Sequence, residues 1–201
     1  ASSADVTSNA VFHLTPTTFT SDGNVEVSVQ ATYKEVTSDF KNYLITVCLS
    51  KTIDLAKNET TTATEKEMTW VNDLVTIKAI KGSSSKTAAN NYYPGSIGNN
   101  YKSTRFYKGH TLSFTPMNGD TIKSVIYEAT TDDYATAMVK STWTNAKASV
   151  SGNTVTITPE DGAKEFYATI GATTGGTSFK IVYTGLVRII TLPGKSGGSY
   201  Y

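Results

Sequence analysis

Along residues 24–33 apolar and polar positions alternate one for one. Val25, Val27, Val29 and Ala31 share one face of an extended chain, and Glu26, Ser28, Gln30 and Thr32 share the other. A period of two is the repeat of a β-strand with one face in a core. Before it, Ser21-Asp22-Gly23-Asn24 reads as a turn, with Gly23 free to take a positive φ. Residues 40–49 form a longer, more continuous apolar run, as expected of a strand buried on both sides. Residues 56–68 lose all periodicity. They are polar and rich in threonine, and they read as a loop and the best domain boundary in the chain.

Beyond that boundary, strand patterns recur at short intervals. They cover 74–81, 103–107, 110–114, 121–128, 148–151, 154–158, 165–170 and 178–183, with 186–190 as one more strand. Turn residues punctuate them at Lys108-Gly109, Met117-Asn118-Gly119-Asp120 and Gly152-Asn153. Residues 83–100 make one long loop containing Tyr92, Tyr93, Pro94 and Gly95. The best helical stretch, 134–139, is one or two turns long and has no amphipathic period. Regular short strands with turn signals predict an all-β antiparallel β-sandwich or barrel. Three segments follow: an N-terminal β segment at 1–68, a sandwich at 69–185, and a C-terminal strand with a Gly/Ser tail at 186–201.

Composition agrees with this reading. The 201 residues include 34 threonines and 20 serines, and 12 tyrosines outnumber 7 phenylalanines. Thr and Tyr suit a pleated, half-exposed surface. A net charge of +1 leaves no electrostatic footprint for nucleic acid or an anionic membrane. No run approaches the roughly 18 apolar residues of a membrane-spanning helix. The single cysteine, Cys48, has no partner for an internal disulfide, and its apolar strand predicts a buried small hydrophobe. Ala1 to Asp5 carry neither the basic nor the apolar region of a signal peptide. Either a signal was removed, implying secretion, or an initiator methionine was trimmed, as in a phage structural protein. The Gly/Ser-rich end, 193–201, is expected to be held by a neighbouring subunit.

From about Thr69 to Thr184 the order of pieces resembles a domain of surface and secreted lipoproteins of gut Bacteroidetes. The resemblance rests on Val75-Thr76-Ile77-Lys78-Ala79-Ile80-Lys81-Gly82, on the loop Asn91-Tyr92-Tyr93, and on Ser103 to Phe114 with its Arg105-Phe106-Tyr107-Lys108-Gly109. It continues through Gly119 to Tyr127, Trp143 to Ile157, and Phe179 to Thr184. Such a resemblance implies a jelly-roll-like β-sandwich serving as an exposed binding or structural module without catalytic residues; the first 68 residues and the tail after Gly185 fall outside it and are expected as extended N- and C-terminal segments. A lipoprotein would begin with a lipid-bearing cysteine, and Ala1 is not one. That departure leaves room for a phage of the same hosts.

The candidate chemistry is thin. His13 and His110 lie in strand-like segments without a nucleophile motif beside them, and Gly-x-Ser-x-Gly is absent. Gly171, Gly175 and Gly176 flank threonine-rich turns, not the strand-to-helix junction of a phosphate loop. Asp132, Asp133, Glu160 and Asp161 are hard oxygen ligands in turn-like segments, so calcium is the one metal to consider; Glu128 ends a strand. No other cofactor is expected. Arg105, inside an apolar strand, is expected to pair with a carboxylate of the sandwich. Aromatic residues are the most suggestive feature. Tyr92, Tyr93, Tyr101, Tyr107, Tyr134 and Trp143 lie in or beside loops, where rings can stack on sugar faces. The same residues also suit core packing and protein interfaces. The expectation is therefore a non-enzymatic structural or decoration subunit of an extracellular assembly, a phage virion or a surface filament, whose partners are other subunits. A glycan-binding bacterial surface module is the alternative.

Overall fold

The computed structural model describes residues 23–29, 32–33, 36–38, 41–57, 60–71, 75–89, 91–93, 102–117 and 121–191, with the strand residues up to 36, 41–49 and 184–191 described by backbone alone. His13, Tyr101, the side chain of Cys48 and the Gly/Ser tail lie outside what is described.

Among the described residues sixteen strands and one helix follow one another. They are β1 (Gly23–Val29), β2 (Thr32–Tyr33), β3 (Val36–Thr37), β4 (Lys41–Asp54), β5 (Thr62–Ala63), β6 (Glu67–Val71), β7 (Val75–Ile80), β8 (Tyr92–Tyr93), β9 (Ser103–Phe106), β10 (Thr111–Pro116), β11 (Ile122–Ala129), α1 (Asp132–Val139), β12 (Thr142–Thr144), β13 (Ala146–Ser151), β14 (Thr154–Pro159), β15 (Phe166–Thr169) and β16 (Thr174–Thr191). Two antiparallel sheets pack face to face as an all-β sandwich. The first runs β1-β4-β16-β11-β14-β13, with β9 also on β16 and β8 on β9; the second runs β12-β15-β10-β7-β6-β5.

Alternation builds the core. Val75, Ile77 and Ala79 of β7 are buried while Thr76 and Lys78 are not, and Val125, Tyr127 and Ala129 repeat the pattern on β11. Aromatic rings tie the layers together. Phe114 of β10 stacks on Phe166 of β15 at 5.1 Å and meets Phe179 of β16 edge-on at 5.1 Å. Phe179 also lies 5.2 Å from Tyr127 and 5.8 Å from Phe106. Such pairs add to the burial of the rings themselves.

Several boundaries differ from the sequence reading. A helix does form at 132–139. Thr131 caps it, accepting a hydrogen bond from the Tyr134 N–H, and Asp132 and Asp133 sit in its first turn, where the helix dipole favours negative charge. Ala135 and Met138 are buried against the sandwich. Two buried positions in eight residues are too few for a helical period to show. The polar stretch before 69 contributes β5 and the start of β6, and Met68 is only 1% exposed. The strands expected at 178–183 and 186–190 are one 18-residue strand, and Gly175 and Gly176 lie inside it, not in turns. Gly23 opens β1, opposite Val47, instead of sitting in a turn.

β16 changes partners along one edge. Thr174–Gly176 pair with β9, and Ser178–Val182 pair with β4. Thr177 is the extra residue between them; against β11, Ala129 faces Gly176 while Glu128 faces Ser178. Its carbonyl accepts hydrogen bonds from the N–H groups of Leu55 and Ala56, at 2.8 and 3.1 Å. Past Tyr183, β16 has left β11 behind. Val187–Thr191 pair with Cys48–Leu44 of β4, which in turn pairs with β1. The first sheet thus continues as a three-stranded ribbon. Val25 stands opposite Ile45, and Ile45 opposite Ile190. With a strand's period of two, Val25, Val27, Tyr43, Ile45, Val47 and Ile190 occupy positions on one face.

Candidate functional site: an arginine between two tyrosines

Thr104 and Phe106 of β9 are both 1% exposed and belong to the inner face, so Ser103 and Arg105 fall on the outer one. Tyr93 of β8 is the cross-strand partner of Ser103, which puts it diagonal to Arg105. The guanidinium carbon lies 4.2 Å from the centre of the Tyr93 ring. On the other side of β9, Arg105 faces Gly175. A Cβ on Gly175 would come within 3.1 Å of the Tyr134 ring and 3.4 Å of Arg105 Cγ. The missing side chain therefore lets Tyr134, delivered by α1, lie over β16 beside the arginine. Thr174 Oγ1 donates to the Tyr134 carbonyl at 2.7 Å and holds the helix there.

The carboxylate expected beside Arg105 is not found among the described residues, whose ion pairs are Lys57–Asp54, Lys78–Glu67 and Lys81–Glu65. β9 is flanked by β8 and by the Thr-Gly-Gly start of β16, so no acidic residue stands next to it in the sheet. The arginine instead rests on a ring face, a contact worth about 0.5–1 kcal/mol at an exposed site. Nε is buried without an acceptor among the described residues. An unmade hydrogen bond of that kind costs about 1–3 kcal/mol.

Of the other aromatic candidates, Tyr92, Tyr107 and Trp143 make their contacts elsewhere. Tyr92 points its hydroxyl at the Ala56 carbonyl, 2.9 Å away, and ties β8 to the turn that follows β4. The Tyr107 ring meets the edge of His110 at 5.9 Å. Trp143 donates from Nε1 to the Met138 carbonyl at 3.2 Å and packs on the core. Among the described residues no three His, Cys, Asp or Glu side chains gather as a metal ion needs. Asp132 and Asp133 serve the start of α1, and Glu160 and Asp161 are exposed in the turn after β14. Glu128 accepts a hydrogen bond from Thr154 Oγ1 at 2.9 Å.

One contact has no counterpart in the sequence reading. Ser85 Oγ lies 3.1 Å from His110 Nε2, although the two are 25 residues apart. The Thr87 carbonyl lies 3.0 Å from the same nitrogen. A carbonyl can only accept, so Nε2 carries the proton. It is therefore a donor and cannot take a proton from Ser85, as the base of a serine dyad must. His110 anchors the loop at 85–87. Burial, and secondarily the Lys81 charge, hold its pKa below 6.5, against the opposing hydrogen bond to Thr87. The unfolded chain then takes up a proton below pH 6.5 that the folded chain declines, so acid destabilises the fold. Stability is expected to fall as pH drops from 6.5 towards 4.5 and to lose that slope in His110→Gln, measured by urea denaturation at each pH. Glu65, through its hydrogen bond and attraction to Lys81, and Glu67, through its bond from Thr69, have lowered pKa values; their contributions are lost only below 4.5, which keeps the two windows apart.

No protein family, curated protein or solved structure matches this chain. No helix among the described residues is long and apolar enough to cross a membrane. The fold and the Arg105 cluster define the chain as a β-sandwich protein with a surface aromatic–arginine site.

Proposed function

We propose that this protein is a non-enzymatic structural subunit of an extracellular assembly, a phage virion or a surface filament, that joins neighbouring subunits through the ribbon of β1, β4 and β16. One observation carries the reading: β4 and β16 each continue as one strand from the sandwich into the ribbon, their pairing shifting register once, between Val182 and Val187. Beyond Tyr183, β16 has no described strand on the side where β11 ended. An open strand edge is a template for pairing with another chain. Two copies of one antiparallel edge complement each other about a two-fold axis, the commonest symmetry of homo-oligomers. A second copy of this chain is therefore the neighbour we assign to it.

Light scattering on the full chain across a concentration series tests this. Dimers or larger species are expected, and Ile189→Lys, which places a charge on the edge, should shift them towards monomer while leaving the circular dichroism spectrum unchanged. A monomer at every concentration, or oligomers indifferent to the lysine, would sink the reading.

A second reading is favoured by the Arg105 site: an exposed module that binds glycans. Tyr93 and Tyr134 supply ring faces and Arg105 a fork of donors. Trp143 and Tyr92 are poor choices for testing it, because their polar atoms are already committed to backbone carbonyls.

A further inference from the structure

We infer that Arg105 receives the carboxylate of an acidic sugar, a hexuronic or sialic acid whose ring lies against Tyr93 or Tyr134. This rests on the glycan-binding reading of the same site and specifies its ligand class.

Arg105 has no polar side-chain partner among the described residues. Among the described residues no carboxylate, carbonyl or hydroxyl accepts from its guanidinium, and of its nitrogens only Nε is buried without a partner. The terminal nitrogens have no acceptor among the described residues and are the donors we assign to the ligand. A guanidinium is planar and presents paired N–H groups spaced to match the two oxygens of a carboxylate. A neutral hydroxyl fills only part of that fork.

Position limits the ligand further. Tyr93 covers the guanidinium from the β8 side. The Tyr134 ring and the arginine stem both border the space over Gly175, which contributes no side chain of its own. Anything that reaches the fork must also lie along aromatic surface. A small inorganic anion would use the charge and ignore the rings. A neutral sugar would use the rings and ignore the charge. A carboxylate carried on a pyranose uses both. The fork is also held ready: the Tyr93 contact and the close packing of Cγ over Gly175 restrain the side chain before a ligand arrives, which lowers the ordering cost of binding.

The decisive comparison keeps sugar shape constant and removes only the charge. Calorimetry or ligand-observed NMR on the full chain would measure trigalacturonic acid against its methyl ester, and 3′-sialyllactose against lactose; whichever acid binds names the source of the carboxylate. At least one acid should bind about ten-fold or more tighter than its neutral counterpart, the worth of one charge-assisted pair. Arg105→Gln should bring the two affinities together, and Arg105→Lys should restore only part of the difference, because an ammonium lacks the fork. Tyr93→Ala and Tyr134→Ala should weaken acid and neutral sugar alike. The acid-to-neutral ratio guards against a merely structural role for Arg105, since a local collapse would lower both affinities together and leave the ratio intact. Equal binding of acid and neutral forms to the unmodified protein overturns the carboxylate assignment and leaves the glycan reading standing. Binding of neither overturns both.

Discussion

Phe179→Ala should lower the free energy of unfolding by about 3–5 kcal/mol, the range for a fully buried aromatic cut to a methyl. Phe179 is a side chain of β16 that reaches the second sheet. It touches Phe114 of the second sheet and both Phe106 and Tyr127 of the first. All four rings are no more than 1% exposed. Strands that are hydrogen-bonded on both sides, as β16 is to β11, β9 and β4, cannot close in on a cavity, so most of the lost contact stays lost. Guanidinium denaturation followed by circular dichroism measures it. Val150→Ala, at a position 45% exposed on β13, is the control and should stay within about 0.5 kcal/mol. A Phe179 variant no weaker than that control would mean the sheets are not joined through this ring.

Gly176→Ala should cost about 1–3 kcal/mol, towards the upper end, by overpacking. A Cβ there would sit 2.1 Å from Tyr127 Cε2 and 2.7 Å from the Glu128 carbonyl oxygen. The ring has nowhere to go. It is fully buried, and its hydroxyl is bound to Thr174 Oγ1 at 3.1 Å. Burial pushes that phenol's pKa far above its ordinary 10.0, so it stays neutral and the bond persists across the working pH range. Gly171→Ala makes a matched comparison, since its Cβ would meet nothing closer than 3.5 Å. That variant should lose nothing and gain a few tenths of a kcal/mol from a stiffer unfolded chain. The same denaturation experiment reads both. Equal stabilities for the two variants would contradict the packing of Tyr127 on β16.

Much of this architecture was legible in alternation alone. Each strand from β7 to β15 that carries a run of inward residues was marked by period two: Val75, Ile77 and Ala79, or Val155 and Ile157. The hairpin at Gly152 was marked by its turn residues, and Gly152 takes a positive φ. Short strands escaped because two residues cannot show a period; Tyr92 and Tyr93 read as loop for that reason. The helix escaped because its cap, Thr131, and its acidic first turn carry its signal, while its apolar side is only Ala135 and Met138.

The sequence by itself determined that the chain makes pleated layers and where most of them begin and end. Those properties depend on neighbours one to four positions apart. Only the tertiary structure decided which of the aromatics meet. Tyr93, Arg105, Tyr134 and Gly175 come from four separate elements, and β9 laid between β8 and β16 is what sets the first, second and last side by side. Pairing between strands of the first sheet also gave Arg105 a ring in place of a carboxylate, and carried β4 and β16 on past the sandwich as one ribbon. Cross-strand register joins residues more than a hundred positions apart, and no local pattern of hydrophobicity records which edge a strand will find.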